Sequence, residues 1–106
     1  MTPSELKLAC GPIIDAAGAV YNVDRVLILG KAGRQHIVAA RCLAMYLCYR
    51  LTGASTPQLA PVFDRVHSTI RRGITIVESH YESSPLFAGQ VHSLIRRLSV
   101  AMERAA

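Results

Sequence analysis

The sequence predicts an all-α fold, a small helical domain with a helix-turn-helix and packing helices at both ends. Three observations carry this. From about His36 to Leu51 the apolar residues Ile37, Ala40, Leu43, Ala44, Leu47, Cys48 and Leu51 fall at steps of three, three, one, three, one and three, one face of a long helix. Ser55-Thr56-Pro57-Gln58 is a compact helix start, followed by a short apolar run, a turn and a longer helical pattern. No period-two alternation of useful length argues for a strand.

Taken in order, Pro3 and Ser4 open a short helix through Leu6 and Leu8. Gly11-Pro12 interrupts it, and Pro12 suits the first turn of a second helix carrying Ile13, Ile14, Ala17 and Val20. A short piece, Asn22 to Leu29, follows with Val26, Leu27 and Leu29. Gly30-Lys31-Ala32-Gly33-Arg34 reads as a basic loop, punctuated by its glycines and kept wet by its cations. The long helix comes next, with Arg41, Met45 and Arg50 off its stripe and Gly53 as its stop. Ser55 or Thr56 caps the following helix, Pro57 has φ already set, and Gln58 stands three after Ser55 as a capping-box partner. That helix is short, Leu59, Ala60, Val62 and Phe63, and Asp64-Arg65-Val66 is a tight turn. The next helix runs from His67 to about Tyr81 with Ile70, Gly73, Ile74, Val77 and Tyr81 inward. Ser83-Ser84-Pro85 separates it from a last helix that buries Phe87, Val91, Leu94, Ile95, Leu98 and Met102.

With 106 residues, 51% hydrophobic and 18% charged, the chain is too apolar for disorder and long enough to bury one core. No run of about 18 uncharged apolar residues suggests a membrane span, and MTPSELKLAC lacks the basic start of a secretory signal. The odd count of cysteines, Cys10, Cys42 and Cys48, supports neither a disulfide framework nor a zinc site, so reduced, partly buried thiols in a cytoplasmic protein are expected. His36, His67, His80 and His92 show no metal-ligand spacing, and neither catalysis nor a cofactor is expected. Twelve Lys+Arg against seven Asp+Glu give a net charge of +5. Between Lys31 and Arg72 seven cations (Lys31, Arg34, Arg41, Arg50, Arg65, Arg71, Arg72) face one anion, Asp64. A basic middle points to a polyanion, nucleic acid before membrane.

If Ile70, Ile74 and Val77 face the core, the opposite side of their helix carries Ser68, Arg71, Arg72 and Thr75 as one exposed stripe. Its first turn, His67-Ser68-Thr69, has small hydroxyls that allow close approach to base edges, and its N-terminal amides favour phosphate.

From Tyr21 to Leu98 the chain resembles the C-terminal double-stranded-DNA-binding domain of the bacterial replication initiator DnaA. The residues that carry the likeness are Arg41-Cys42-Leu43-Ala44-Met45-Tyr46-Leu47, Leu51-Thr52 with Ser55, Phe63, His67-Ser68-Thr69-Ile70 and the tail Leu94-Ile95-Arg96-Arg97-Leu98. The resemblance implies that fold, Trp-repressor-like in its helix-turn-helix. It divides the chain into an N-terminal helical connector (1–20), the DNA-binding domain (21–98) and an extension of the last helix (99–106), a tail expected to fray. It also implies roles. Lys31 and Arg34 fall in the basic loop, where the family inserts an arginine into the minor groove. Arg41 and Thr52 match backbone-contacting positions, and Pro57 a position near the bases. His67, Ser68 and Thr69 match the signature that reads the major groove. Beside the resemblance, Arg65, Arg71 and Arg72 are read from the charge pattern as further DNA-facing cations, and Arg71 and Arg72 stand where the family has less charged residues.

The chain departs from the pattern in places. The turn before His67 is one residue shorter and has Val66 where the family has an aspartate that is a base-contacting candidate. Ser68 replaces a threonine and loses a methyl, and Tyr49 replaces a common cation. Gly30-Lys31-Ala32 is not a phosphate loop, because Arg25 and Ala32 stand where that motif needs Gly and Ser or Thr. The expectation is a freestanding, nucleoid-associated domain that binds duplex DNA as a monomer, sharing sites with the initiator or regulating transcription. The alternative is a module that mimics this domain and binds the replication initiator or its regulators.

Overall fold

In the computed structural model, which describes residues 1–105, the periodic helix of the sequence is the central post of the molecule. Six helices follow one another: α1 Pro3–Tyr21, α2 Arg25–Leu29, α3 Gln35–Thr52, α4 Thr56–Phe63, α5 His67–Ser83 and α6 Pro85–Ala105. The other five all touch α3. Every residue from Ala40 to Cys48 is therefore buried, including Arg41 and Met45, which the stripe placed outside. A helix wrapped on all sides buries more than its most apolar face. Gly53, in the left-handed region at φ 71°, ends it as expected. No helix among the described residues is long and apolar enough to cross a membrane.

The expected break at Gly11-Pro12 does not occur, and α1 is continuous. It starts at a full capping box, in which the Thr2 side chain accepts from the Glu5 N–H and the Glu5 carboxylate accepts from the Thr2 N–H. Pro12 lies on the solvent face, as does Leu8 four residues earlier. The carbonyl that Pro12 leaves without a donor therefore borders water rather than core, and the helix tolerates the proline. Gly11 is buried because the Arg25 guanidinium lies across it; a Cβ there would sit 3.1 Å from both Nη atoms. Arg25 in turn pairs with Asp15 at 2.5 Å and holds its carboxyl below the usual range. This fastens α2 to α1.

Behind α1 the chain reverses at Asn22 (φ 56°) and crosses over Gly18, whose N-terminal neighbours are helical. The Val23 N–H donates to the Gly18 carbonyl at 2.9 Å, and a Cβ on Gly18 would lie 2.2 Å from the Val23 oxygen. Only glycine permits that crossing. Val20, expected inside, is 42% exposed because the reversal leaves its face uncovered. In α2 the buried residue is Ile28, while Val26 is 80% exposed; a helix of five residues docks one side only.

Ser55 and Gln58 form the expected capping box at the start of α4, and Asp64 at φ 52° ends it. α5 crosses α3 at Gly73, where a Cβ would meet the Met45 sulfur at 2.8 Å and Cys42 Sγ at 3.5 Å. The Ser84 hydroxyl accepts from the Phe87 N–H to open α6, and His80 stacks on Phe87 with ring centroids 4.1 Å apart. α6 buries Phe87, Val91, Leu94 and Leu98. Met102 also packs against the core, so the last helix is docked further along than the expected fraying tail. Cys10, Cys42 and Cys48 are free and buried.

Two glycines thus set two close approaches of unequal stiffness. Gly18→Ala drives a Cβ into backbone and is expected to cost about 3 kcal/mol, the upper end of overpacking. Gly73→Ala meets a flexible methionine and gains about 1 kcal/mol of helix propensity, so it is expected to cost less. Urea unfolding midpoints of the two variants check the order.

Candidate nucleic-acid interface

The basic loop between α2 and α3 has no regular secondary structure, and long-range hydrogen bonds hold it. Arg41 reaches from the buried face of α3 into it. Its Nε donates to the Ile28 carbonyl at 2.7 Å, and one Nη is shared among the carbonyls of Leu27 (3.1 Å), Gly30 (3.1 Å) and Ala32 (3.0 Å). Burial, and then the neighbouring Arg65 charge, push the Arg41 pKa down, yet a guanidinium stays charged. Its charge is met by carbonyl dipoles, which satisfies the rule that buried charge must be hydrogen-bonded.

The same loop is tied to the turn between α4 and α5. Arg65 donates to the Gly30 carbonyl at 2.5 Å and to the Phe63 carbonyl at 2.8 Å. Gly30 thus accepts from two guanidiniums. Lys31 Nζ donates to the Asp64 carbonyl at 3.1 Å and its carboxylate at 3.4 Å. That pair is largely exposed and adds little energy, but it points both residues at each other. The loop and the turn that precedes α5 form one connected edge.

Along this edge two helices begin without side-chain caps. α3 starts after Arg34 and α5 after Val66, and neither cap residue makes a side-chain hydrogen bond. α1 and α4 both have complete capping boxes. The first amides of α3 and α5 are therefore open to an outside acceptor. His67, Ser68, Thr69, Arg71, Arg72 and Thr75 are exposed on α5. The two ion pairs among the described residues, Arg25–Asp15 and Lys31–Asp64, leave Arg34, Arg71 and Arg72 out. A cleft of about 410 Å³ between the start of α4 and the outer face of α5 is lined by Tyr49, Pro57, Arg71 and Thr75 among others.

Residues 11–77 match the bacterial dnaA protein helix-turn-helix family. The chain belongs to that family. It is a DNA-binding helix-turn-helix domain rather than a catalytic one. Similar proteins include the chromosomal replication initiator protein DnaA of Deinococcus radiodurans, 29% identical over 91% of this chain and 21% of its own length. The corresponding protein of a Synechococcus strain is 30% identical over 92% of this chain and 21% of its own. That of Tropheryma whipplei (strain Twist) is 40% identical over 55% of this chain and 12% of its own. The chain spans about a fifth of the length of the first of these relatives.

Within this dnaA-type domain the resemblance assigned positions that the structure sorts into two sets. Lys31, Arg34, Pro57, His67, Ser68, Thr69, Arg71 and Arg72 lie at the surface. Arg41 is set apart: it is 7% exposed, and its Nε and one Nη donate to loop carbonyls, where the resemblance placed it among the backbone-contacting positions. Thr52 is half-buried, donating to the Cys48 carbonyl at 2.6 Å and accepting from the Ala54 N–H at 3.2 Å. It finishes α3 rather than reaching outward. Arg65 is intermediate, with its guanidinium spent on two carbonyls. The resemblance matched Arg41 and Thr52 to contact positions, and charge pointed to Arg65; neither signal records the acceptors these side chains meet after folding. Sequence reasoning passed over the Gly30 carbonyl and Asp64 as organisers of the edge. Asp64 was visible as the only anion in the basic stretch.

Removing the Arg41 guanidinium takes a donor from the carbonyls of Leu27, Ile28 and Ala32, while Gly30 keeps Arg65. Arg41→Met is expected to lose about 3 kcal/mol of stability, since charge-assisted hydrogen bonds are worth about 1.5–3 kcal/mol each and are not additive here. Lys31→Ala is expected to lose less than about 1 kcal/mol. Chemical denaturation of both variants measures the contrast.

Proposed function

We propose that this protein reads a DnaA-box-like site on duplex DNA, with the first turn of α5 in the major groove and the Lys31–Arg34 loop against the minor groove and phosphates. One observation carries the reading: the exposed first turn of α5 and the basic loop stand on one hydrogen-bonded edge. Phosphate contacts from such an edge set register, and side chains of the first turn read bases. The open amides of α3 and α5 suit phosphate oxygens. The name of the similar proteins, chromosomal replication initiator, supports a role at replication origins, through sites an initiator also occupies, or in transcription from such sites. One domain carries both the basic loop and the first turn of α5, which supports a monomer on DNA.

Fluorescence anisotropy with a labelled duplex carrying the box and a scrambled duplex tests this. Selective binding is expected for the wild type. His67→Ala is expected to lose about 1–3 kcal/mol on the box and little on the scrambled duplex. Equal binding of wild type to both duplexes would overturn box reading.

The salt dependence separates Arg34 from Arg41. Arg34→Ala is expected to lower the slope of log K against log salt by about 0.9, the value for one phosphate contact on duplex DNA. Arg41→Met is expected to weaken binding through a loosened loop while leaving the slope unchanged, because the guanidinium is buried against loop carbonyls. Titrations across a salt series at fixed pH read both.

A further inference from the structure

Lys31 is a cation of the basic loop, and in the folded chain its charge is already answered. Its Nζ donates to the Asp64 carbonyl at 3.1 Å and to the Asp64 carboxylate at 3.4 Å. Asp64 is the only anion between Lys31 and Arg72, and it stands in the turn before His67. The fold asks only for its backbone. Asp64 ends α4 in the left-handed region, at φ 52° and ψ 50°, and its N–H donates to the Ala60 and Pro61 carbonyls. Glycine meets that requirement without a side chain. The carboxylate makes one hydrogen bond among the described residues, the one to Lys31, and the Asp64 side chain is 87% exposed. An anion that the fold does not use, set on a basic edge, is a local inconsistency of the kind found at functional positions.

We infer that Asp64 is a positioning residue that competes internally with DNA phosphate, holding Lys31 in a neutral pair until the backbone of a duplex takes the ammonium from it. This rests on the proposed binding of duplex DNA by this edge. A carboxylate and a phosphate offer an ammonium the same chemistry, a negative oxygen acceptor. The pair is weak enough to exchange, since an ion pair this exposed contributes a factor of about five at most. Arg34, Arg71 and Arg72 have no such partner among the described residues and meet a polyanion at full charge. Lys31 does not. When a phosphate takes Lys31, the carboxylate left beside it faces the same polyanion and holds a cation there. One counterion leaves the DNA and one stays with Asp64, so the Lys31 contact adds almost nothing to the salt slope. The pair lowers attraction for every sequence alike and leaves discrimination to the first turn of α5.

Anisotropy titrations of the box and scrambled duplexes across a salt series test this. The proteins are wild type, Asp64→Asn, Asp64→Gly, Lys31→Met and the double variant Asp64→Asn with Lys31→Met. Asn tolerates the left-handed backbone and keeps the size of the side chain, Gly relieves the backbone, and both remove the charge. Both are expected to bind either duplex about fivefold tighter at moderate salt and to steepen the slope by about 0.9. Lys31→Met is expected to take about 0.9 from the slope of Asp64→Asn and little from that of wild type. That dependence on Lys31 separates competition from the mere loss of one negative charge. A purely structural role for Asp64 gives another pattern, a Tm that differs between Asn and Gly and a slope that neither changes. If both Asp64 variants keep the wild-type affinity and slope while Arg34→Ala still lowers the slope, the carboxylate does not compete and the inference falls with DNA binding intact. It falls too if Lys31→Met lowers the slope equally with and without the Asp64 charge. If the wild type binds neither duplex, the proposed function falls and this inference with it.

Discussion

The edge formed by the basic loop and the turn before α5 depends on one buried guanidinium. Arg41 stands on the most enclosed helix of the molecule and hydrogen-bonds to the carbonyls of Leu27, Ile28, Gly30 and Ala32. A segment rich in glycine and cations has no core of its own to fold around. Its shape comes from these acceptors being gathered by a charge that cannot leave the interior unpaired. Arg65 then meets the same Gly30 carbonyl from the turn before α5. Two residues 35 apart in sequence, Gly30 and Arg65, are thus joined, and the loop is tied to the turn before α5.

The second constraint is how closely α5 approaches α3. At Gly73 the two helices leave no room for a Cβ without displacing Met45. Ile70, Ile74 and Val77 continue the contact along the inner face. With that face committed, Ser68, Arg71, Arg72 and Thr75 have only the outer side left. The chemistry of the outer stripe is thus a consequence of packing on the inner one. α6 and the N-terminal part of α1 complete the core around α3, so both chain ends take part in holding the post that carries Arg41.

Helix ends divide the work of stability and binding. α1 and α4 close their N-termini with reciprocal side-chain bonds. α3 and α5 leave theirs open, after Arg34 and Val66 respectively. α2 likewise starts without a side-chain cap bond, at Asp24. An uncapped end carries first-turn amides without a side-chain acceptor and a partial positive charge.

Much of the fold was legible in the sequence because its signals are local. The capping box at Ser55, the stop at Gly53 and the stripe of α5 involve residues within one or two turns of each other, and the short-range spacing alone determines them. The family likeness was also carried by short runs, and so was the exposed turn at His67. Tertiary structure decided the rest. Pro12 stays inside a continuous α1 because its bare carbonyl partner faces water, which no spacing rule records. Val26 lies outside and Ile28 inside because a single helical turn docks where α1 and α3 leave space. Arg41, Thr52 and Arg65 look like contact residues in a string of letters. They become internal fastenings because the carbonyls that accept from them are brought near only when the chain folds. Sequence determines which groups can donate and where helices begin; the fold determines which acceptors are within about 3 Å, and that distance decides whether an arginine holds the protein or its ligand.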